Sequence, residues 1–247
     1  MVQRRDAVTA RNDLSGAIGL GVKSSLMEEL VRLEESDARL QVERGRVLLA
    51  AAEQRLRDAG LAEVRTLHRH GGVIETVLER EADARVVIMG KRGESHEFAA
   101  DHIGSTIERL VRASARPILI ASREGERPKA VVFAYDASKP ADRALERLLN
   151  SPLFTGMPVH IVMAESDNEV HRRALDRAAG QLQAGHEVRT TLQNGKPEAV
   201  IADIVAQTPG ALLVMGAYGH SPLRALIVGS TTTAMIRTIH VPVLLVR

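Results

Sequence analysis

Short apolar runs alternate with amphipathic stretches through the second half of the chain. AVVFAY (130–135) is apolar and rich in β-branched residues, which predicts a buried strand, and the DAS after it supplies an N-cap signal for a helix around 139–150. VHIVMA (159–164) predicts a second strand. Over 167–184, Val170, Ala174, Leu175, Ala178 and Leu182 recur at helical spacing, the mark of an amphipathic helix. HEVRTTL (186–192) alternates as a half-buried strand does, and NGKPEAVIADIVAQ opens a helix with Pro197 in its first turn. ALLVMG is a strand, GSTTTAMIRTI a helix and PVLLVR the last strand. Strands and helices alternating at this spacing imply right-handed βαβ units: an α/β, Rossmann-like fold with a parallel five-stranded sheet and helices on both faces.

The first half conforms to this plan only in part. From Gly71 it predicts a helix, the strand RVVIM, a loop, a helix and the strand PILIA, and VRTLH before it reads as one more strand. Residues 24–59 read as one long helix, with Leu26, Leu30, Leu33, Leu40 and Val47 spaced in threes, fours and sevens. Residues 1–23 contain no run suited to a buried strand, and AIGLGV is broken by Gly19 and Gly21.

Self-comparison exposes a repeat. VVIMGKRG (86–93) matches LLVMGAYG (212–219), GSTIERLVR (104–112) matches GSTTTAMIR (229–237), and RPILIAS (116–122) matches VPVLLVR (241–247), at offsets of 126, 125 and 125. The expected organisation is an incomplete first repeat over 1–122, a charged linker at 123–129 (REGERPK) and a complete second repeat over 130–247. The first repeat lacks its initial β-α-β; either the true start lies upstream or this half is a degenerate partner.

Composition narrows the picture. Apolar residues make up 45% of the 247 and aromatic residues only 2%, so the core is aliphatic, as suits a helix-covered parallel sheet. With no cysteine, disulfides, thiolate metal sites and a cysteine nucleophile are excluded. The formal charge of +2 comes from interleaved acids and bases, which argues against a nucleic-acid partner. No apolar run approaches the ~18 residues of a membrane span, so no membrane partner and a cytoplasmic location are expected.

The candidate chemistry lies in GAYGHSPLRALIVGSTTT (216–233). Gly216 and Gly219 come just after a strand, where the chain turns sharply and a Cβ would block close approach. Gly229, Ser230 and Thr231 then open a helix whose first amides lack intrahelical partners, and bare amides beside two hydroxyls suit phosphate oxygens. Ordinary turn and cap roles for the same residues stay open.

The full pattern, G-x2-G-x9-G-S between an LLVMG strand and a helix and then PVLLV, resembles the tail of the universal stress protein family. The resemblance covers the second half and the later two-thirds of the first. It implies a Rossmann-like domain, often in tandem, that in its nucleotide-binding branch holds ATP, with Mg²⁺ screening the phosphates, at the carboxyl ends of the strands. By position it implies Ala134, Tyr135 and Asp136 at the first strand's end by the adenosine. Val162, Met163 and Ala164 then meet the adenine, Met215, Gly216 and Gly219 the ribose and phosphates, and Gly229, Ser230 and Thr231 the phosphates. Asp136 also suits a helix cap, and Tyr135 stands where the family commonly has a smaller residue, which bears on adenine fit. His220 and Arg224 read as surface residues of the loop.

The first repeat keeps Gly90, Gly93, Gly104 and Ser105, but ten residues separate Gly93 from Gly104 where the pattern has nine, and no strand supplies its acidic residue. It is expected to bind nucleotide weakly or not at all. Lys91 and Arg92 read as a solvated loop, and Glu94, His96, Glu97, Asp101 and His102 crowd one loop without metal-ligand spacing. His70, His160, His171, His186 and His240 are scattered, and no catalytic constellation emerges. The family analogy further implies that the last strands, 117–121 and 242–246, pair antiparallel across a pseudo-twofold axis, within the chain or in a homodimer. Two alternatives stay open: an interaction module that binds no nucleotide, and a slow ATP hydrolase or self-phosphorylating protein.

Overall fold

The computed structural model describes residues 2–3, 20–91, 103–122, 127–217 and 230–247, with the side chains of 2, 3, 20–25, 103–105 and 230 outside that description. The chain divides into two compact units, Met1–Val77 and Leu78–Arg247.

In the first unit, α1 (Leu20–Asp58) is a single helix of 39 residues, beginning four residues before the predicted 24 and taking in Gly21. Its protected stripe is narrow: Gly45 is buried, and Leu49 and Glu53 are half-buried at successive four-residue steps. A Cβ at Gly45 would stand 2.5 Å from His68 Cε1, so the missing side chain is what lets the imidazole sit against the helix. The predicted apolar stripe faces outward instead, with Leu33 62% and Val47 60% exposed. Ion pairs one turn apart, Glu35 with Arg39 and Glu53 with Arg57, line the helix.

VRTLH does not form the strand its pattern predicts. The strand here is β2 (Arg69–His70), paired in parallel over two residues with β1 (Val2–Gln3), in the region where no strand is expected. The reason is ladder supply: a strand needs a neighbour for its amides, and among the described residues this one has only two residues of β1. The helix α2 (Val73–Arg80) comes next.

The second unit is built on one sheet of seven strands in the order β3-β4-β9-β8-β5-β6-β7. The strands are β3 (Val87–Gly90), β4 (Ile118–Ala121), β5 (Ala130–Ala134), β6 (Val159–Met163), β7 (Val188–Leu192), β8 (Ala211–Gly216) and β9 (Val243–Val246). The second repeat supplies the five parallel strands expected of it. The sheet is wider than five because β4 and β9 pair antiparallel, Ile118 opposite Leu245, and so join the repeats through their last strands; every other pairing is parallel. An edge strand leaves a row of unmet amides, and this pairing removes two such edges at once.

Helices cover both faces. α4 (Lys139–Asn150) and α5 (Glu169–Leu182) pack on one side, where Val131, Phe133, Val159, Ile161, Leu212 and Val214 meet Ala144, Leu148, Leu175 and Leu182. On the other side, α6 (Pro197–Ala206) packs against β5 and β6, and α7 (Ser230–Thr238) packs between α6 and α3 (Ile103–Ala113). In the first repeat the buried Glu81 carboxylate accepts hydrogen bonds from the Ser114 hydroxyl and the Ala115 N–H, pinning the turn that leads into β4.

Two cations tie the repeats across the sheet junction. Lys91, read from sequence as a solvated loop residue, is half-buried and its Nζ donates to the carbonyl of Ile239 at the end of α7, 2.5 Å away. Arg247 donates to the Arg112 carbonyl at the end of α3. Each helix thus receives a positive charge from the opposite repeat at its carboxyl end, where the helix dipole favours one.

Gly216 ends β8 for a packing reason. A Cβ there would fall 2.6 Å from Ala141 N and 2.9 Å from Pro140 C, both main-chain atoms at the start of α4. We expect Gly216→Ala to lower stability by about 1–3 kcal/mol through this overlap, read as an earlier denaturant midpoint. An unchanged midpoint would contradict the close approach.

His160, half-buried on β6 with Nε2 2.8 Å from Thr191 Oγ1, has its pKa held below the ordinary 6.5, first by burial and then by the charge of Arg189. The unfolded chain therefore takes up this proton at a higher pH than the folded chain does. The contribution of neutral His160 is complete above 6.5 and declines as pH falls through that value toward the folded one. Denaturation midpoints compared between about pH 7.5 and pH 5 should fall less for His160→Gln than for the parent chain; an identical fall would show that another group sets the dependence.

Candidate functional site

In the second repeat the chain steps from β5 to β6 to β7 on one side of β5, then returns to place β8 and β9 on the other. At such a reversal the connections leave in opposite directions, and a crevice opens at the carboxyl ends of the two strands that flank it, here β5 and β8. The ladders align the residues concerned. Ala134 stands opposite Val162 on one side and Met215 on the other, so three segments distant in sequence form one row. The Tyr135 N–H continues the ladder to the Val162 carbonyl at 2.9 Å, and the Ala217 N–H meets the Val246 carbonyl at 2.7 Å.

Side-chain directions sort the sequence candidates. Tyr135 and Met163 are turned into the core under α4 and α5, only 2% and 1% exposed, so each leaves its main chain at the strand end. The Tyr135 hydroxyl donates to Asp142 Oδ1 at 2.8 Å and accepts from Arg177 at 3.4 Å. Burial raises the pKa of this phenol, the hydrogen bond from Arg177 lowers it, and the net direction is upward. The bulk of Tyr135 therefore lies in the helix layer, and the small Ala134, half-buried, borders the crevice in its place. Val162 and Met215 are buried beside it, and Ala164 is half-buried.

Asp136 is exposed just past β5, and its Oδ1 accepts the Ser138 N–H at 3.0 Å. The cap of α4 is Ser138, whose hydroxyl accepts the Ala141 N–H at 3.3 Å, so the capping role considered for Asp136 belongs two residues later. Between them Ala137 has φ of 55°, the left-handed region that costs a residue with a Cβ roughly 1–2 kcal/mol. Strain of this kind persists where surrounding bonds fix the backbone, here the Asp136 turn on one side and the Ser138 cap on the other. Sequence reading missed Ala137 and the Tyr135–Asp142–Arg177 network; the DAS triplet signalled a turn, and nothing in it marks which residue takes the left-handed angle.

On the other side of β5, β8 ends at Gly216; farther along the chain α7 begins at Ser230, with half-buried Thr231 and buried Thr232 next in its first turn. Gly219, His220, Arg224 and Gly229 lie outside the described residues, as do Arg92, Gly93, Glu94, His96, Glu97, Asp101 and His102 of the first repeat. Gly104 and Ser105 fall in the first turn of α3. Among the described residues no group of three or more His, Cys, Asp or Glu is placed to hold a metal ion, and no helix is long and apolar enough to cross a membrane.

Known proteins share this architecture. The family model described as the universal stress protein family matches residues 156–247. A universal stress protein from Synechocystis sp. is 33% identical over 249 aligned residues, covering all of this chain and 86% of the relative. Among solved structures, a universal stress protein from Archaeoglobus fulgidus superposes with a TM-score of 0.67 at 27% identity, over 83% of this chain and 76% of that one. A universal stress protein from Pseudomonas aeruginosa superposes at 0.59, over 81% of this chain and 77% of that one, at 16% identity, which speaks to fold alone. Identity across the whole length, together with the sheet order and the motif positions, establishes that the chain belongs to the universal stress protein family.

Proposed function

We propose that the second repeat binds an adenine nucleotide, ATP with Mg²⁺ screening its phosphates, and that the protein works as a stress-response regulator instead of a fast enzyme. The observation that carries this reading is the row Val162–Ala134–Met215 at the chain reversal, with exposed Asp136 just past the end of β5. The residues present fit the ligand. Ala134 is small, Tyr135 is directed away, and the main chain at Ala164, just past the end of β6, offers polar groups for a base edge. Asp136 suits a ribose hydroxyl, because a carboxylate accepts two hydrogen bonds. In this reading the start of α7, with Thr231 in its first turn, offers amides and a hydroxyl to phosphate oxygens, and Gly216 leaves the end of β8 without a side chain.

In this reading the chain comprises an incomplete repeat over 1–122, a linker at 123–129 and a complete repeat over 130–247, and only the last holds nucleotide. The first repeat has no described strand beside β3 from which an acidic residue could reach a ligand. No protein ligand is assigned to Mg²⁺; the ion would travel with the phosphates.

Titration with a fluorescent ATP analogue tests the proposal. Saturable binding to one site per chain is expected, weakened at least tenfold, or about 1.4 kcal/mol, by Gly229→Val and by Asp136→Ala. Absence of saturable binding, or indifference to both substitutions, would favour an interaction module that binds no nucleotide. Phosphate release should stay well below ~1 per second, the lower end of ordinary enzyme turnover; faster release would make the protein a hydrolase.

A further inference from the structure

β3 and β8 hand over to the turns that follow them by the same main-chain bond. The Lys91 N–H donates to the Ala121 carbonyl of β4 at 3.3 Å, and at the equivalent position the Ala217 N–H donates to the Val246 carbonyl of β9 at 2.7 Å. The side chains at the two positions differ. Ala217 is fully buried and ends at its Cβ, whereas half-buried Lys91 reaches the other repeat, its Nζ donating to the Ile239 carbonyl at 2.5 Å.

Ile239 follows the last residue of α7 and closes its final turn, its N–H bonded to the Met235 carbonyl at 3.0 Å. The Ile239 carbonyl lies where a helix runs out of intrahelical donors and its dipole favours a cation. α7 depends on such outside support. At nine residues, about 13 Å by the usual rise, it is shorter than a helix that persists alone in water. Thr232, Met235, Ile236 and Ile239 are buried at helical spacing, which seats one face of α7 against its neighbours. Apolar burial has little directionality, so it holds the helix down without setting its position along its own axis. The hydrogen bond from Lys91 sets where α7 ends, and in a rigid helix of fixed length that also sets where it begins.

We propose that Lys91 is a positioning residue for the nucleotide of the second repeat: by fixing the end of α7, it holds the start of α7 in place for phosphate oxygens. This role rests on the reading that the start of α7 meets the phosphates. It gives the first repeat, which in that reading holds no nucleotide, a part in binding at the second. Arg247 supplies the matched control, since it makes the same kind of contact to the Arg112 carbonyl in the last turn of α3, a helix that in this reading meets no ligand.

Lys91→Met, Lys91→Arg and Arg247→Met variants of the full chain are compared with the parent by amide hydrogen exchange without ligand and by titration with ATP and Mg²⁺. In Lys91→Met, exchange is expected to quicken from Ala234 to Ile239 and ATP affinity to fall by about fivefold or more. Lys91→Arg, which keeps a donor and the charge, should restore both. Arg247→Met should quicken exchange at the end of α3 and leave ATP affinity as in the parent. Unchanged exchange along α7 in Lys91→Met would overturn the brace, and faster exchange with unchanged ATP affinity would overturn the positioning role while leaving nucleotide binding intact. Equal losses of ATP affinity in Lys91→Met and Arg247→Met would also overturn it, because the contact would then act through the junction as a whole. A parent chain without saturable ATP binding would instead refute the nucleotide reading, and the positioning role with it.

Discussion

A parallel strand hydrogen-bonded along both edges and covered on both faces governs this molecule. That strand is β5: Val131, Val132 and Phe133 are fully buried, paired to β6 on one side and β8 on the other. Each such side chain contributes about 1.5–3 kcal/mol of burial, and the two ladders leave the segment no alternative register without exposing it. Because the chain departs from β5 to one side and returns on the other, its carboxyl end is also where a crevice forms. Stability of the second repeat and position of the candidate site therefore have the same cause. The first repeat has no such strand among its described residues, and it differs in both respects. Among the described residues its β3 pairs with β4 alone, Ile88 is exposed, and no acidic residue stands at the end of β3 or β4.

The two repeats are nevertheless held in one sheet by their last strands. The antiparallel contact of β4 with β9 buries Ile118, Ile120, Leu244 and Leu245, and the reciprocal donations from Lys91 to the end of α7 and from Arg247 to the end of α3 lock the junction. The two cations come from different positions of the repeat: Lys91 corresponds by offset to Ala217, and the contact is returned by Arg247 instead, so the ends of α7 and α3 are both held by a side chain of the other repeat. A fixed α7 keeps its first amides in place, a precondition for receiving an anion at little reorganisation cost.

Most of the second repeat was legible because its signals agree at every level. Strands buried on both faces read as unbroken aliphatic runs, Pro197 marks a helix start, and the alternation in 186–192 marks the half-buried edge strand β7. The antiparallel joining of the last strands came from family resemblance, and its consequence for sheet width did not, because strand number depends on which edges meet. Expectations failed where a segment's partner decides its state. VRTLH has strand composition but little to pair with. The leucines of α1 have helical spacing, yet the helix uses Gly45, Leu49 and Glu53 as its protected stripe because His68 packs where a Cβ is missing. Asp136 and Ser138 are both good capping residues, and only the backbone path through Ala137 decides between them.

If ligand chemistry belongs to the carboxyl ends of β5 and β8 and to no equivalent place in the first repeat, a nucleotide must perturb one set of strand ends and spare the other. Backbone amide NMR spectra of the full chain, recorded with and without ATP and Mg²⁺, report on both sets at once. Shifts are expected to concentrate at Ala134 to Asp136, Ala164, Met215 to Ala217 and the start of α7, with β3 and the start of α3 unmoved. Shifts centred on Gly90 and Gly104, or scattered over the surface without a focus at Ala134, would contradict this placement.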